Sequence, residues 1–293
     1  MTDEWLSEST PTTPVQIISG NALETLLRSE IDIQISTARS YPRGNLAVIK
    51  ARIRELALLD AETAEACVYR LPARKGSEDN KPIEGPSVRL AEIVTSCWGN
   101  VRQASRVIEI GEKSLVAQGI CHDLETNVAV CKEARRGITT KNGARYGNDM
   151  INVTANAACS IALRNAIFTV VPFALIKPIV EECKRFAVEE EARLQQESAR
   201  QKSEPGLRRP DTRRQALAAF VKVGATEAEV YKLLGVAGVD QMTPEHVVNL
   251  RTLYQAIRDG AVTMDEAMQR ETSSAPAVDD FFAQQEQRQQ QNE

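Results

Sequence analysis

Basic side chains cluster between residues 132 and 146 of this 293-residue chain. The segment contains a single acid, Glu133, and two glycines, and its candidate contact residues are Lys132, Arg135, Arg136, Lys141, Arg145 and Tyr146. Lys and Arg side chains that meet a phosphate backbone release condensed counterions, which favours binding. The cluster therefore predicts a phosphate-contacting lip. A flexible, solvated loop without a ligand is the alternative interpretation.

Two further arginines belong to a predicted sheet next to this cluster. Polar and apolar residues alternate from Val101 to Ile110, which predicts a strand with Arg102 and Arg106 on one face. Leu115–His122 and Val128–Ala134 predict two more strands. Because the connections between the three segments are only a few residues long, we expect an antiparallel meander.

Three polar residues interrupt the helical segments that flank the predicted sheet. They are Arg89, Arg164 and Asn165, and we expect them to form the floor of a groove lined by the strand and loop cations. For Arg164 and Asn165 a second interpretation stays open, in which they pair with Glu92 and have a purely structural role.

The predicted fold class is α+β, with a three- to four-stranded antiparallel sheet flanked by helices in a β-β-β-α core. Pro86 is placed as the first residue of the helix before the sheet, where a missing N–H costs nothing. An alanine-rich helix from Asn148 to Val171 follows the sheet and can pack closely on it. Val68–Pro72 is the candidate for a fourth strand.

Composition divides the chain into five parts. We predict a disordered N-terminus at 1–20, an α+β core at 21–196, a linker at 197–212, a small all-α module at 213–270 and a disordered tail at 271–293. Within the tail, acids and aromatics cluster at Asp279, Asp280, Phe281 and Phe282, which predicts a short partner-docking peptide. The alternative is a tail with two incidental phenylalanines.

Overall composition excludes several classes of protein. The net charge of −4 does not itself indicate nucleic-acid binding, but binding depends on where cations cluster. No apolar run approaches the roughly 20 residues of a membrane span, and the polar N-terminus is unlike a signal peptide, so we expect a cytoplasmic protein. Aromatic residues are scarce, and Trp98 and Tyr146 are the main candidates for base stacking.

Motifs for catalysis and cofactors are missing. The sequence has no phosphate-binding Gly-x-x-x-x-Gly-Lys-Ser/Thr loop and only two histidines, so we expect no ATPase, no metal site and no cofactor. Six cysteines without a Cys-x-x-Cys pair argue against a disulfide framework. The apolar patterns around Cys97, Cys121, Cys131 and Cys159 predict buried thiols.

A metal-dependent nuclease is the enzymatic alternative. It needs clustered carboxylates at strand ends with a nearby lysine, and Asp123, Glu125 and Glu133 lie near Lys132 in the sequence. The Glu-x-Lys pattern expected on the third strand is absent, which argues against this activity.

Several short stretches resemble phage proteins of the single-strand annealing class, which includes the RecT/Redβ and Erf groups. The resemblance covers about residues 45–185 and rests on CVYRLP at 67–72, GPSVRLAE at 85–92, WGN at 98–100, NDM at 148–150 and ALRNA at 162–166.

This resemblance implies a non-enzymatic protein that binds and anneals single-stranded DNA without ATP in phage homologous recombination. It implies a ring or filament of identical subunits in the cytoplasm of a bacterial host. A host single-strand-binding protein or a phage exonuclease is the implied protein partner. A non-catalytic assembly or adaptor protein remains the alternative from a different functional class.

Overall fold

A computed structural model describes residues 20–71, 82–140, 143–201, 211–260 and 262–268. The elements in chain order are α1 (Gly20–Ser40), α2 (Leu46–Ala57), α3 (Ala61–Ala66), β1 (Val68–Leu71), β2 (Ile83–Pro86), α4 (Val88–Trp98), β3 (Val101–Ile110), β4 (Ser114–Asp123), β5 (Val128–Gly137), α5 (Asn148–Val170), α6 (Phe173–Gln201), α7 (Thr212–Lys222), α8 (Glu227–Leu234), a 3-10 turn (Val239–Gln241), α9 (Pro244–Arg258) and α10 (Met264–Ala267). The α+β fold class is confirmed.

Strands β3, β4 and β5 form the predicted antiparallel meander, in that order. Strand β5 continues three residues beyond the predicted end at Ala134, because its ladder with β4 runs to the pair Ser114 and Gly137. Arg135 and Arg136 therefore belong to a strand and not to a loop. A β-bulge between Val107 and Glu109 interrupts the pairing of β3 with β4.

The candidate fourth strand lies in a different sheet. β1 pairs antiparallel with β2, with Tyr69 opposite Gly85, and the two strands form their own two-stranded sheet. The main sheet therefore has three strands. Pro86 is the last residue of β2 and not the first of a helix. Ser87 caps α4 by accepting a hydrogen bond from the Leu90 backbone N–H.

Helix α5 covers one face of the main sheet at very short range. A Cβ atom added to Gly119 of β4 would lie 2.3 Å from the backbone carbon of Ala162. Ala158, Ala162 and Ala166 are fully buried. Small side chains on both elements are thus what allows the helix backbone to touch the strand. The opposite face of the sheet stays largely exposed.

The main hydrophobic core lies beside the sheet and joins α2, α4, α5 and α6. Its fully buried members include Ile53, Leu90, Ile167 and Ile179. The chain leaves α4 through Gly99, whose φ of 72° is the left-handed conformation that favours glycine. This turn directs the chain from the core into the edge strand β3.

The C-terminal helices have a core of their own and also contact the larger part of the fold. Phe220 and Tyr254 meet edge to face, with ring centroids 5.9 Å apart. Arg251 of α9 bridges two carboxylates, with Nη1 3.0 Å from Oε1 of Glu65 and Nη2 2.9 Å from Oε2 of Glu191. An arginine of the C-terminal helices therefore links α3 to α6. The exact domain boundary remains a prediction.

Among the described residues, one helix, α5, is long and apolar enough to cross a membrane by length and composition. Length and composition alone are weak evidence for a span, since the core helix of a soluble protein meets the same criteria. The face of α5 that carries its alanines packs against the sheet. Residues 1–19 of the predicted N-terminal segment 1–20 lie outside the described residues, as does the tail 271–293 with the docking residues 279–282.

Candidate nucleic-acid interface

Three of the predicted cations share the exposed face of the sheet. The register pairs Arg102 with His122 and Arg106 with Gln118, and it places Arg135 opposite Val116. Residues paired across neighbouring strands point to the same face. The side chains of Arg102, Arg106 and Arg135 therefore all lie on the face that α5 does not cover. We call this surface the open face.

Polar side chains that the sequence did not single out complete the open face. Arg106 Nη2 donates to Gln118 Oε1 at 3.3 Å. The His122 Nε2 lies 3.0 Å from Asn127 Oδ1. Glu133 pairs with Gln118 from the other side and brings a negative charge to the same row. The alternation of residues between the two faces of β4 was the sequence pattern that could have identified Gln118 and His122 as residues of the open face.

Two other cations of β5 lie on the opposite side of that strand. The register pairs Lys132 with Gly119 and Arg136 with Leu115, on the face that packs against α5. Lys132 is exposed because β5 is an edge strand. Arg136 is half-buried, and its Nη2 donates to the carbonyl oxygen of Gly260 at 3.1 Å. The predicted cluster is thus divided between two faces and does not form a continuous lip.

The segment after β5 folds back against the β3–β4 turn. Arg145 Nη1 donates to the carbonyl oxygen of Gly111 at 2.7 Å. Tyr146 is half-buried against the small core formed by Leu115, Ile138 and Ile151. These contacts hold Arg145 and Tyr146 beside the β3–β4 hairpin, so the two residues do not belong to a free loop. Lys141 lies outside the described residues.

Arg164 and Tyr69 form a stacked pair between α5 and the small sheet. The guanidinium carbon of Arg164 lies 4.5 Å from the centroid of the Tyr69 ring. Its Nη2 also donates to Asn165 Oδ1 at 3.2 Å. Burial lowers the pKa of Arg164, and the interaction with Tyr69 opposes this effect. Gly85 makes room for the stack, since a Cβ there would lie 2.8 Å from the Tyr69 ring.

The proposed pairing of Arg164 with Glu92 is wrong. Glu92 Oε2 is 3.1 Å from Arg89 Nη1, one helical turn away on the surface of α4. Arg89 therefore belongs to a surface ion pair with Glu92. Arg164 stacks on Tyr69 and does not pair with a carboxylate in the described structure. Tyr69 was not among the predicted site residues, although its place in a short strand beside Arg70 was visible in the sequence.

Apart from Arg89, the predicted cations in the described structure have no carboxylate partner. Within the described ranges, none of the residues Arg102, Arg106, Lys132, Arg135, Arg136, Arg145 and Arg164 forms an ion pair with a carboxylate. Arg43, Arg54, Arg70, Arg193 and Arg251 each do. Arg39, Arg52, Arg214 and Arg258 are also without a carboxylate in the described structure, so what sets the sheet apart is that Arg102, Arg106 and Arg135 share one open face.

The carboxylates considered for nuclease chemistry have structural partners. Arg43 forms ion pairs with both Asp123 and Glu125 and stacks over Trp98, 4.4 Å from the ring centroid. Asp123 also accepts from Trp98 Nε1 at 3.3 Å, and Glu125 accepts from Asn100 Nδ2 at 2.6 Å. Burial alone would raise the pKa of Glu125, but the hydrogen bonds from Asn100 and Arg43 lower it overall.

This arrangement is a clamp between the α1–α2 connection and the β4–β5 turn. Glu133 lies on the open face, away from the clamp. The described part of the chain contains no group of three or more His, Cys, Asp or Glu residues arranged to hold a metal ion. The acidic residues near Lys132 therefore do not converge on one site.

Two residue-level expectations are corrected by burial. Trp98 is buried beneath Arg43 and is not available for base stacking. Cys131 is exposed, because it lies on edge strand β5, whereas Cys121 on the central strand is buried as predicted. Exposed aromatic rings do occur elsewhere in the described residues, at Tyr41 and Phe173.

Comparisons of the chain with protein-family models, with curated proteins and with solved structures found no match.

Proposed function

We propose that this protein binds single-stranded DNA through its phosphate backbone and anneals complementary strands without ATP or catalysis. The observation that carries the proposal is that Arg102, Arg106 and Arg135 share the open face of the sheet and have no carboxylate partner in the described structure. Residues 101–146 contain eight Lys and Arg against five Asp and Glu. Two of those five acids, Asp123 and Glu125, form ion pairs with Arg43.

The contact surface of the proposal is the open face, extended by Lys132 at the edge of β5. Arg102, Arg106 and Arg135 are exposed and free of carboxylates in the described structure. Cations without protein counter-charges keep their full attraction for phosphate. Arg164 supports a further phosphate contact, because stacking on Tyr69 orients its guanidinium and leaves Nη1 without a partner in the described structure.

Contacts to phosphate carry no sequence information, and exposed aromatic rings are few on this surface. The proposal is therefore binding with little sequence preference. We place this activity in phage homologous recombination in the cytoplasm of a bacterial host, with self-association of the chain. The segment 279–282 is proposed to dock a host single-strand-binding protein or a phage exonuclease.

The test measures binding of a fluorescent oligonucleotide between about 50 and 200 mM salt, where phosphate contacts lose affinity steeply. The triple variant R102Q/R106Q/R135Q removes three charges from the open face. We expect it to weaken binding and to reduce the logarithmic salt slope by about 2, since each single-strand phosphate contact contributes about 0.7.

A matched control, R54Q/R185Q/R193Q, changes net charge equally at arginines that form ion pairs with Glu182, Glu189 and Glu190. It should bind almost as the parent chain does. Annealing of complementary oligonucleotides is then measured without ATP. Equal weakening by both triple variants would overturn the open face as the site, and absence of any oligonucleotide binding would overturn the function.

A further inference from the structure

The main sheet has two unpaired edges. β3 and β5 are the outer strands of the sheet, and no other described strand pairs with either. Each edge strand is ten residues long. Unpaired N–H and C=O groups on a long, accessible edge are a template for pairing with another strand.

The outward-pointing residues of both edges follow from the ladder. In antiparallel strands, successive residues direct their N–H and C=O alternately to the two sides. Ile138 N donates to Lys113 O, so the even-numbered residues of β5 face β4. The groups that face outward then belong to Ala129, Cys131, Glu133, Arg135 and Gly137, all of which are exposed.

The same reasoning identifies the outer groups of β3. Leu124 N donates to Asn100 O, so the even-numbered residues up to Arg106 face β4. Before the bulge, the outward-facing residues are Val101, Gln103, Ser105 and Val107. Both edges thus offer a comparable row of backbone donors and acceptors.

We propose that the β5 edge of one copy of this chain pairs with the β3 edge of a second copy, which extends the sheet head to tail. β3 and β5 run in the same direction, because each is antiparallel to β4. A bound peptide would satisfy one edge and leave the other open. A second copy satisfies both edges with the same contact and repeats it from copy to copy.

Charge complementarity along the rows of the sheet favours a second copy of the chain as the partner of these edges. Arg106, Gln118 and Glu133 form one row on the open face, since Gln118 pairs with both neighbours. Continuing the row into a second copy places Glu133 beside the Arg106 of that copy. Opposite charges on adjacent strands stabilise pairing.

The next row of the open face also brings opposite charges together between copies, here with the acid on β3 and the arginine on β5. Glu109, Val116 and Arg135 form that row, so its continuation places Arg135 beside the Glu109 of the second copy. Pairing two β3 edges around Ala104 would instead oppose Arg102 and Arg106, which is unfavourable. Pairing two β5 edges around Ala134 would match Glu133 with Arg135 but would leave both β3 edges open. Head-to-tail pairing is therefore the arrangement that both matches the charges and fills both edges.

This inference rests on the self-association in the proposed function and gives that self-association a surface. Arg106 and Arg135 serve in both proposals: in the assembly each lies beside a carboxylate of the next copy, and Arg102 and Lys132 keep their charge free for phosphate. The cross-linking test uses no DNA, so its failure leaves the proposed DNA binding standing, and a failure of DNA binding leaves the edge pairing standing.

The row next to the Arg106 row, on the side away from the Glu109 row, contains Ala104, Ile120 and Cys131. Continuing this row places the exposed Cys131 beside the Ala104 of the second copy.

The experiment is oxidation of the full-length A104C variant with copper phenanthroline, followed by a non-reducing gel. Each copy then carries a thiol on each edge, so head-to-tail pairing produces a ladder of dimers, trimers and larger species. The C131A/A104C variant should lose the ladder. Val48→Cys, which adds an exposed thiol on α2, controls for random cross-linking and should produce no ladder.

Each other outcome overturns the proposal. Dimers in the parent chain through Cys131 alone indicate β5 pairing with β5, and dimers in C131A/A104C indicate β3 pairing with β3. Monomers in the parent chain and in every variant indicate that the edges do not pair between copies.

A charge exchange gives a second measurement by sedimentation velocity. E133R and R106E should each shift the chain toward monomer, and E133R/R106E should restore association because the two charges again have opposite signs. Failure of the double variant to recover while its circular dichroism spectrum stays native contradicts the proposed row alignment.

Discussion

Arg164 on α5 stacks on the ring of Tyr69 on β1, at 4.5 Å from guanidinium carbon to ring centroid, and thereby joins the helix that covers the main sheet to the small sheet. This half-buried cation has no carboxylate partner in the described structure. An oriented guanidinium without a counter-charge is suited to phosphate, to which its Nη1 can donate while Nε and Nη2 stay bonded to Asn165.

The first prediction concerns this stack. R164K keeps the charge but loses the planar group that stacks on Tyr69, an interaction of about 1 kcal/mol. We expect oligonucleotide affinity to fall by about fivefold in a titration at low salt. R54K, at an exposed ion pair with Glu182, is the matched control and should leave affinity unchanged. Equal affinities of R164K and the parent chain would remove Arg164 from the contact surface.

A second prediction concerns the close approach of β4 and α5. G119A places a methyl group against the backbone of Ala162 and Leu163, which neither element can relieve by moving a side chain. We expect a loss of about 3 kcal/mol in the free energy of unfolding, the upper end for overpacking. G44A is the control, because no atom lies within 4 Å of its added Cβ, and denaturant titration of both variants measures the difference.

A third prediction concerns the link between the C-terminal helices and α6. The Glu191 side chain is fully buried; Oε1 accepts hydrogen bonds from Gln195 and Thr212, and Oε2 pairs with Arg251 by charge without hydrogen-bond alignment. R251A leaves a buried charge without its cation, which costs about 3–5 kcal/mol.

The control for this variant is R185A, which breaks an exposed ion pair with Glu189 and should cost less than about 1 kcal/mol. Chemical denaturation of the full chain compares the two variants. If R251A is as mild as R185A, Arg251 does not hold the two parts of the fold together.

A fourth prediction concerns pH. Burial raises the pKa of Glu65 above its ordinary value of 4.5, and Arg251 only partly offsets this effect. The folded state therefore binds the Glu65 proton more tightly than the unfolded state. The stability that Glu65 contributes is present below pH 4.5 and is lost as the pH rises through the folded-state pKa.

E65Q removes this dependence. The Tm of E65Q minus that of the parent chain should become more positive between about pH 4 and pH 7. E62Q removes an exposed carboxylate of the same helix and serves as the control. A Tm difference that is constant across this range would show that Glu65 titrates alike in both states.

The elements that sequence patterns identified well are those with strong local signals. Helix α8 occupies the predicted Glu227–Leu234, because Thr226 and Gly235 supply the cap at each end. The meander and the alanine-rich helix were also predicted, since alternation and small-residue runs are properties of neighbouring residues. Strand β5 was predicted too short, because the loop-like composition around Arg135 hides a ladder that only β4 completes.

By itself, the sequence determined the order of the helices and of the three strands of the main sheet, the basic character of residues 101–146 and the small residues that let α5 meet the sheet. Only the tertiary structure decided that β1 pairs with β2, that Arg164 meets Tyr69, and that Arg43 forms ion pairs with Asp123 and Glu125. The physical reason is the separation along the chain of the residues that interact. Caps, turns and periodicity act over a few residues, whereas Arg43 and Asp123 lie 80 residues apart and meet only when the elements between them have packed.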